Sequence, residues 1–247
     1  MTLAHWAAAL KQHWGIDAEL SRLDGEYDLN FLVNGRDGQG YILKAMRPGC
    51  ETWLVDMQVK AFDHIAARQP DLPCPRVIAA ASGQSLLTLP DEDGQDRLVW
   101  LLNQLPGRCY AKAEPKCDAL IHEIGKVLGG SGKALADFRH EGLERDFKWD
   151  LTRAGWITDH LTCIADPGRR AILKGISADF SKLEPNMAEL PKQAIHNDAN
   201  DYNIMVAGVL AEPQMVSGLI DLGDMCAAPR ICDLAIAAAY IVLDHPA

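Results

Sequence analysis

Two carboxylates and an amide stand at offsets that suit phosphoryl transfer. In the run His196-Asn197-Asp198-Ala199-Asn200-Asp201-Tyr202-Asn203, Asp198 can accept a hydroxyl proton. Asn203, five residues on, offers a carbonyl oxygen that can bind magnesium. A second acid, Asp221, closes the apolar run Met215-Val216-Ser217-Gly218-Leu219-Ile220, 18 positions after Asn203. Moving a phosphoryl group asks a protein for little covalent chemistry, only for positioned groups and compensation of charge. One base and two hard oxygen ligands supply the core of that.

These residues can cooperate only if the chain around them folds back on itself. Ala194-Ile195 precede the loop, Ile204-Met205-Val206 follow it, and turn formers at Ala207-Gly208 and Glu212-Pro213 separate it from the second apolar run. The pattern reads as a β-hairpin of buried strands that brings Asn203 and Asp221 to one end of a sheet.

Upstream, Leu20–Leu23, Leu29–Val33 and Tyr41–Met46 alternate with Asn-Gly and Asp-Gly turns, the signature of an antiparallel meander. Apolar residues at helical spacing run from Glu51 to Ala67, and the Leu72-Pro73-Cys74-Pro75 stretch leads into a strand at Arg76–Ala80. Ser85–Leu89 and Arg97–Leu102 read as two more short strands, and five of these six segments are expected to form an antiparallel sheet accompanied by one helix. Leu3–Leu10, which contains His5 and Trp6 and lacks a basic leader, reads as a helix and not a signal peptide. From about Cys117 to Leu190 the texture becomes helical.

Composition sets limits on partners. The chain has 247 residues, 48% of them hydrophobic, and a formal net charge of −10. Such an acidic balance argues against a nucleic-acid backbone as partner. It suits a cationic small molecule, and it also serves solubility. The longest apolar segment, Ile231–Leu243, is interrupted by Asp233 and is too short to span a bilayer, so no membrane partner is expected. Seven cysteines without a C-x-x-C pair point to reduced thiols in the cytoplasm.

The motifs together resemble the aminoglycoside phosphotransferase and choline kinase superfamily, small-molecule relatives of the protein kinases. Ala134-Leu135-Ala136-Asp137-Phe138-Arg139-His140, Trp149-Asp150-Leu151, the 196–203 loop and Gly218-Leu219-Ile220-Asp221-Leu222-Gly223-Asp224-Met225 look like the hydroxylysine kinase branch, which includes segments fused to class III aminotransferases. The resemblance implies roles. Asp198 would be the catalytic aspartate, Asn203 and Asp221 the Mg2+ ligands, and Lys44 the grip on the α- and β-phosphates. Gln58 falls where the family has a glutamate that pairs with this lysine, with Glu51 as a possible substitute. Gly25 and Asn30 lie in the place of the phosphate-covering loop, which here has a single glycine; alone, that stretch is a hairpin turn. Asn103 and Leu105 would offer backbone groups to the purine of ATP or GTP. His196 and Asp233 would be structural supports, Asp233 by accepting backbone N–H groups of the catalytic loop. Asp224 would face an amine on the substrate, and a solvated loop acid is an equal alternative.

The implied fold is α+β and protein-kinase-like: an N-terminal lobe over 1–102, a hinge at 103–107 and a helical C-terminal lobe over 108–247. Relatives continue beyond the last helix, so the resemblance also implies truncated C-terminal helices with an exposed apolar face, and a fused or missing region. The implied activity is transfer of a γ-phosphoryl group to a hydroxyl of an amino-bearing metabolite, hydroxylysine-like or an amino alcohol. The alternative is a catalytically weak nucleotide-binding module of a larger fused protein. A protein kinase fits less well, since no Ala-Pro-Glu segment follows Asp221.

Overall fold

The computed structural model describes residues 2–25, 27–208 and 214–243. Glu26 of the glycine loop, the Glu212-Pro213 turn and the final His245-Pro246-Ala247 lie outside the described residues. Strands β1 (Ala18–Leu23), β2 (Leu29–Gly35), β3 (Gly40–Ala45), β4 (Leu87–Pro90) and β5 (Asp96–Asn103) form one antiparallel sheet in the order β1-β2-β3-β5-β4.

Strand periodicity decides what each face of this sheet does. Leu29, Phe31 and Val33 of β2 and Tyr41, Leu43 and Ala45 of β3 point one way and are buried. They pack against Trp6 and Leu10 of helix α1 (Leu3–Trp14), which ends at Gly15 in the left-handed conformation (φ 71°). The alternate positions face helix α2 (Thr52–Arg68), whose Val55, Phe62 and Ile65 pack with Trp100 and Leu102. Central strand β5 is buried on both faces, which is why Arg97–Leu102 reads as an unbroken run without alternation. Asn30, Lys44 and Trp100 are register partners across β2, β3 and β5, so Lys44 stands on the α2 face of the sheet.

Two expectations change here. The sheet carries two helices, because α1 is needed to cover the face that α2 leaves bare. Arg76–Ala80 is not a strand: it makes a single bridge, Val77 to Leu102, with the bonds Ile78 N–H to Leu101 O and Asn103 N–H to Arg76 O. The segment emerges from Pro73 and Pro75, and β4 holds the neighbouring part of the same β5 edge.

The remainder is built on helix α3 (Asp118–Ala134), with Leu120, Ile124, Val127, Leu128 and Ser131 buried along one stripe. A 3₁₀ segment (Leu151–Cys163) and helix α4 (Pro167–Ala188) follow, then strands in two small sheets and helix α5 (Ile231–Val242). β6 (Arg108–Cys109), β8 (Ile204–Ala207) and β9 (Met215–Leu219) form one sheet, in the order β6-β8-β9; β7 (Lys192–Ile195) and β10 (Cys226–Pro229) form the other. The β7–β10 pair is absent from the reading of the sequence, because Cys226-Ala227-Ala228-Pro229 lacks the β-branched and aromatic residues that mark strands. α5 exposes Ile231, Leu234 and Val242, Leu243 just after it is exposed too, and no residue of α4 is buried. No helix among the described residues is long and apolar enough to cross a membrane.

Candidate active site

Two loops run side by side because the same two ladders clamp their ends. Ile195 pairs with Cys226 at one end, and Ile204 pairs with Leu219 at the other. Between them the 196–203 loop and the 220–225 loop are tied by Ile220 N–H to Asn203 O (2.9 Å) and by His196 Nε2 to Ile220 O (2.9 Å). His196 is fully buried, and its Nδ1 accepts the Asp198 N–H (3.2 Å). An imidazole that accepts at Nδ1 donates from Nε2 to the carbonyl it meets there.

Asp233, in the first turn of α5, accepts the N–H groups of His196 (3.1 Å) and Asn197 (2.7 Å). Both amides are buried, so the carboxylate satisfies two donors that would otherwise have no partner. Burial pushes Asp233 upward from the ordinary carboxylate range, and the two backbone bonds counter that in part. Asn197 takes φ 65°, and its side-chain amide donates to Trp149 O and Asp224 O. A non-glycine residue in that region is strained unless its surroundings hold it.

Asp198 is half-buried at the crevice wall, with Oδ1 accepting from Asn200 Nδ2 (2.9 Å) and Oδ2 from Asn203 Nδ2 (2.8 Å). Desolvation raises its pKa, with the charge of Asp221 adding to the effect and the amide of Asn200 opposing it. Because Asn203 spends its nitrogen on Asp198, its carbonyl oxygen faces elsewhere and can meet a cation.

Asp221 also has a positive φ, 64°. Its Oδ1 accepts the Gly223 N–H (3.0 Å), and its Oδ2 accepts Lys44 Nζ (3.0 Å) from across the crevice. The side chain is 45% exposed and lines the crevice. The ammonium of Lys44 holds Asp221 below the ordinary range, outweighing the opposing desolvation. Lys44 Nζ also lies 5.6 Å from the centre of the Trp100 ring.

Gln58 does not hold Lys44. Its Nε2 donates to Leu54 O in its own helix (3.2 Å), and the lysine is bonded to Asp221 instead. A neutral amide with a good local acceptor has nothing to gain from reaching across to an ammonium. Glu51 lies further along the same crevice.

The crevice has two compartments that share Asp24, Asn30, Lys44 and Asp221. One is a slot of about 360 Å³ between the sheet and the β8–β9 hairpin, walled by Leu32, Ile42, Leu102, Met205 and Ile220, with Asn103 and Leu105 at its edge. The other, about 640 Å³, holds Asp198, Asn203 and Asp224. Gly25 belongs to it, and only glycine fits there: a Cβ would stand 2.6 Å from Asn30 Nδ2 and 2.7 Å from Asp28 O. Asp224 is pushed up to about 6, first by burial and then by the charges of Asp198 and Asp221.

The sequence reading missed the far wall of this larger compartment, made by Trp53, Arg145, Phe147 and Trp149. A signal was present in the alternation of cations and aromatics from Arg145 to Trp149, but nothing in it says which way those side chains face. It also left Asn200 without a role, although Asn200 bonds Asp198 directly.

Asn203 Oδ1 and Asp221 are hard oxygen donors of the kind magnesium takes alongside phosphates and water. Among the described residues no group of three His, Cys, Asp or Glu side chains forms a metal cage. The donor set therefore fits a cation that arrives with a polyphosphate.

A sheet lysine facing an acid from a paired loop, over a crevice beside an apolar slot, defines a protein-kinase-like phosphotransferase. Residues 19–247 match the phosphotransferase enzyme family, APH, and the chain belongs to that family. It is 26% identical over 251 residues to the hydroxylysine kinase of Danio rerio, covering 96% of this chain and 69% of that one. Among solved structures, a microcompartment-associated aminopropanol kinase superposes with a TM-score of 0.68 at 18% identity, over 96% of this chain and 74% of the other. The amicoumacin kinase hAmiN, in complex with AMP-PNP, Ca2+ and Ami, superposes at 0.66 with 14% identity, over 92% of this chain and 66% of the other. At these identities the structural matches show the fold alone. The chain spans about two thirds to three quarters of the length of these three proteins.

Proposed function

We propose that this small-molecule phosphotransferase moves the γ-phosphoryl group of ATP or GTP to a hydroxyl of an amino-bearing metabolite, hydroxylysine-like or an amino alcohol. The observation that carries the reading is the convergence of Asp198, Asn203, Asp221 and Lys44, drawn from three separate segments, on one crevice beside an apolar slot.

In this reading the purine occupies the slot, with backbone groups of Asn103 and Leu105 at its edge, and the phosphates pass under the Gly25 loop toward Lys44. Asn203 Oδ1 and Asp221 hold Mg2+, which supplies neutralisation of phosphate charge when bound. Asp198 orients the acceptor hydroxyl and takes its proton as the oxygen bonds to the γ-phosphorus. The bond from that phosphorus to the bridging oxygen breaks, and the nucleoside diphosphate leaves with the electron pair. Asn200 and Asn203 fix the carboxylate of Asp198 for this task, while Asp224 faces the amine of the acceptor.

Lys44 must exchange Asp221 for phosphate oxygens when nucleotide binds. With Gln58 turned into its own helix, no helical acid guides that exchange, and this favours a second reading: a nucleotide-binding module with weak turnover inside a longer protein. A panel of hydroxy amino acids, amino alcohols and aminoglycosides, each with ATP and with GTP, separates the two. Phosphorylated product with at least one pair supports the enzyme. Nucleotide binding without product across the panel supports the module.

A further inference from the structure

Arg145 brings to the acceptor compartment a guanidinium that makes no direct ion pair among the described residues, although the charge of Asp224 acts on it from a distance. It follows the 3₁₀ turn Glu141–Glu144, and its guanidinium lies 4.2 Å from the centre of the Phe147 ring and 5.9 Å from that of Trp53. Trp53 fits there because Gly142 has no Cβ; one would stand 2.6 Å from the indole. Nη2 donates to Gly223 O (2.8 Å). Nε and Nη1 are closed off from solvent and have no hydrogen-bond partner among the described residues.

A guanidinium this far desolvated is costly unless something accepts its hydrogens. Nη2 uses one of its two hydrogens on Gly223, so one of its two forks, with Nε or with Nη1, keeps both donors. A fork of that kind matches a carboxylate in size and geometry. Arg145 lines the compartment of Asp198 and Asp224 and is not part of the apolar slot, which places the fork on the acceptor side.

We propose that Arg145 is the anchor for a carboxylate on the acceptor, which makes the preferred acceptor a hydroxy amino acid over an amino alcohol. The inference rests on the phosphotransferase reading above and narrows its substrate class. The carboxylate seats on the free fork. The amine lies toward Asp224, and the chain between them carries the hydroxyl to Asp198.

The test compares hydroxylysine with the diamino alcohol that lacks only its carboxylate, in wild type, Arg145→Gln and Arg145→Lys, by calorimetric binding and by turnover. Wild type is expected to bind the acid at least about 30-fold more tightly, the low end for a desolvated charge pair. Arg145→Gln is expected to erase that preference, and Arg145→Lys to recover only part of it, since an ammonium keeps the charge and loses the fork. Equal losses for both acceptors would make Arg145 a strut for Gly223. A rise confined to the nucleotide KM would assign it to the γ-phosphate. Either result, or binding of neither compound by a folded wild type, overturns the proposal. Carboxylate-dependent binding without turnover would instead sustain it while removing the enzymatic reading.

Discussion

The paired loops and the acceptor wall of the same crevice are built in opposite ways. In the loops polar groups are largely satisfied from within: Asp233 takes two amides, His196 bridges the strands, and Asn200 and Asn203 each hold one oxygen of Asp198. On the wall, Arg145 has two donors without acceptors, and on the same side of the compartment Asp224, the loop residue that is the exception to this rule, has its pKa raised to about 6 by burial and by Asp198 and Asp221, with Arg145 only partly opposing them. The loops are finished before a ligand arrives. The wall carries its cost until one does, which is how preorganised chemistry and selective binding divide a site.

The contrast can be broken first where the loops depend on a single group. Asp233→Ala leaves two buried N–H groups without an acceptor and is expected to cost about 2–5 kcal/mol of stability. Urea unfolding measures it, and a loss under about 0.5 kcal/mol, the usual range for surface changes, would show that the loops do not rest on Asp233. Gly25→Ala forces Asn30 and the Asp28 carbonyl apart. A nucleotide KM raised about tenfold, equivalent to about 1.4 kcal/mol, is expected with the acceptor KM unchanged; a shift in the acceptor KM alone would show that the loop serves the acceptor and not the phosphates.

The smallest expected effect sharpens the other side of the comparison. Asp224 has a folded pKa of about 6 against an ordinary value of 3.8, so the folded state binds its proton more tightly than the unfolded state does. Stability is therefore lost as pH rises from about 4 to about 6, and the deficit is complete above that window. Asp224→Asn removes the deficit. Its melting temperature is expected to exceed that of wild type by about 2–4 °C at pH 8, about 1 kcal/mol at this size once the roughly 3 kcal/mol of a two-unit shift is discounted for the solvent that reaches the side chain, and to match it near pH 4. An equal difference at both pH values would assign the effect to packing.

How much of this was legible in the sequence follows from what each residue depends on. Asp198, Asn203 and Asp221 come together because a local hairpin joins them, and hairpin register is written in short apolar runs and turns. Lys44 was legible through strand alternation, which fixes its face of the sheet. The β7–β10 pair was hidden because a four-residue ladder under α5 needs no strand-forming residues of its own, and tertiary burial outweighs propensity. Gln58 occupies the place expected for a lysine partner, yet which acceptor its amide takes is decided by a carbonyl one helical turn away. Arg145 reaches the site through an irregular stretch between helices, where no periodicity reports side-chain direction.

The central claim is that Asp198 is the base in a crevice already assembled for phosphoryl transfer. Its most direct test follows transfer of a labelled γ-phosphoryl group to the best acceptor of the panel, with wild type and Asp198→Asn side by side and nucleotide affinity measured on both. The expected result is a fall in kcat of about 10²–10⁴-fold with nucleotide affinity retained and the fold intact. Undiminished transfer by Asp198→Asn would contradict the account.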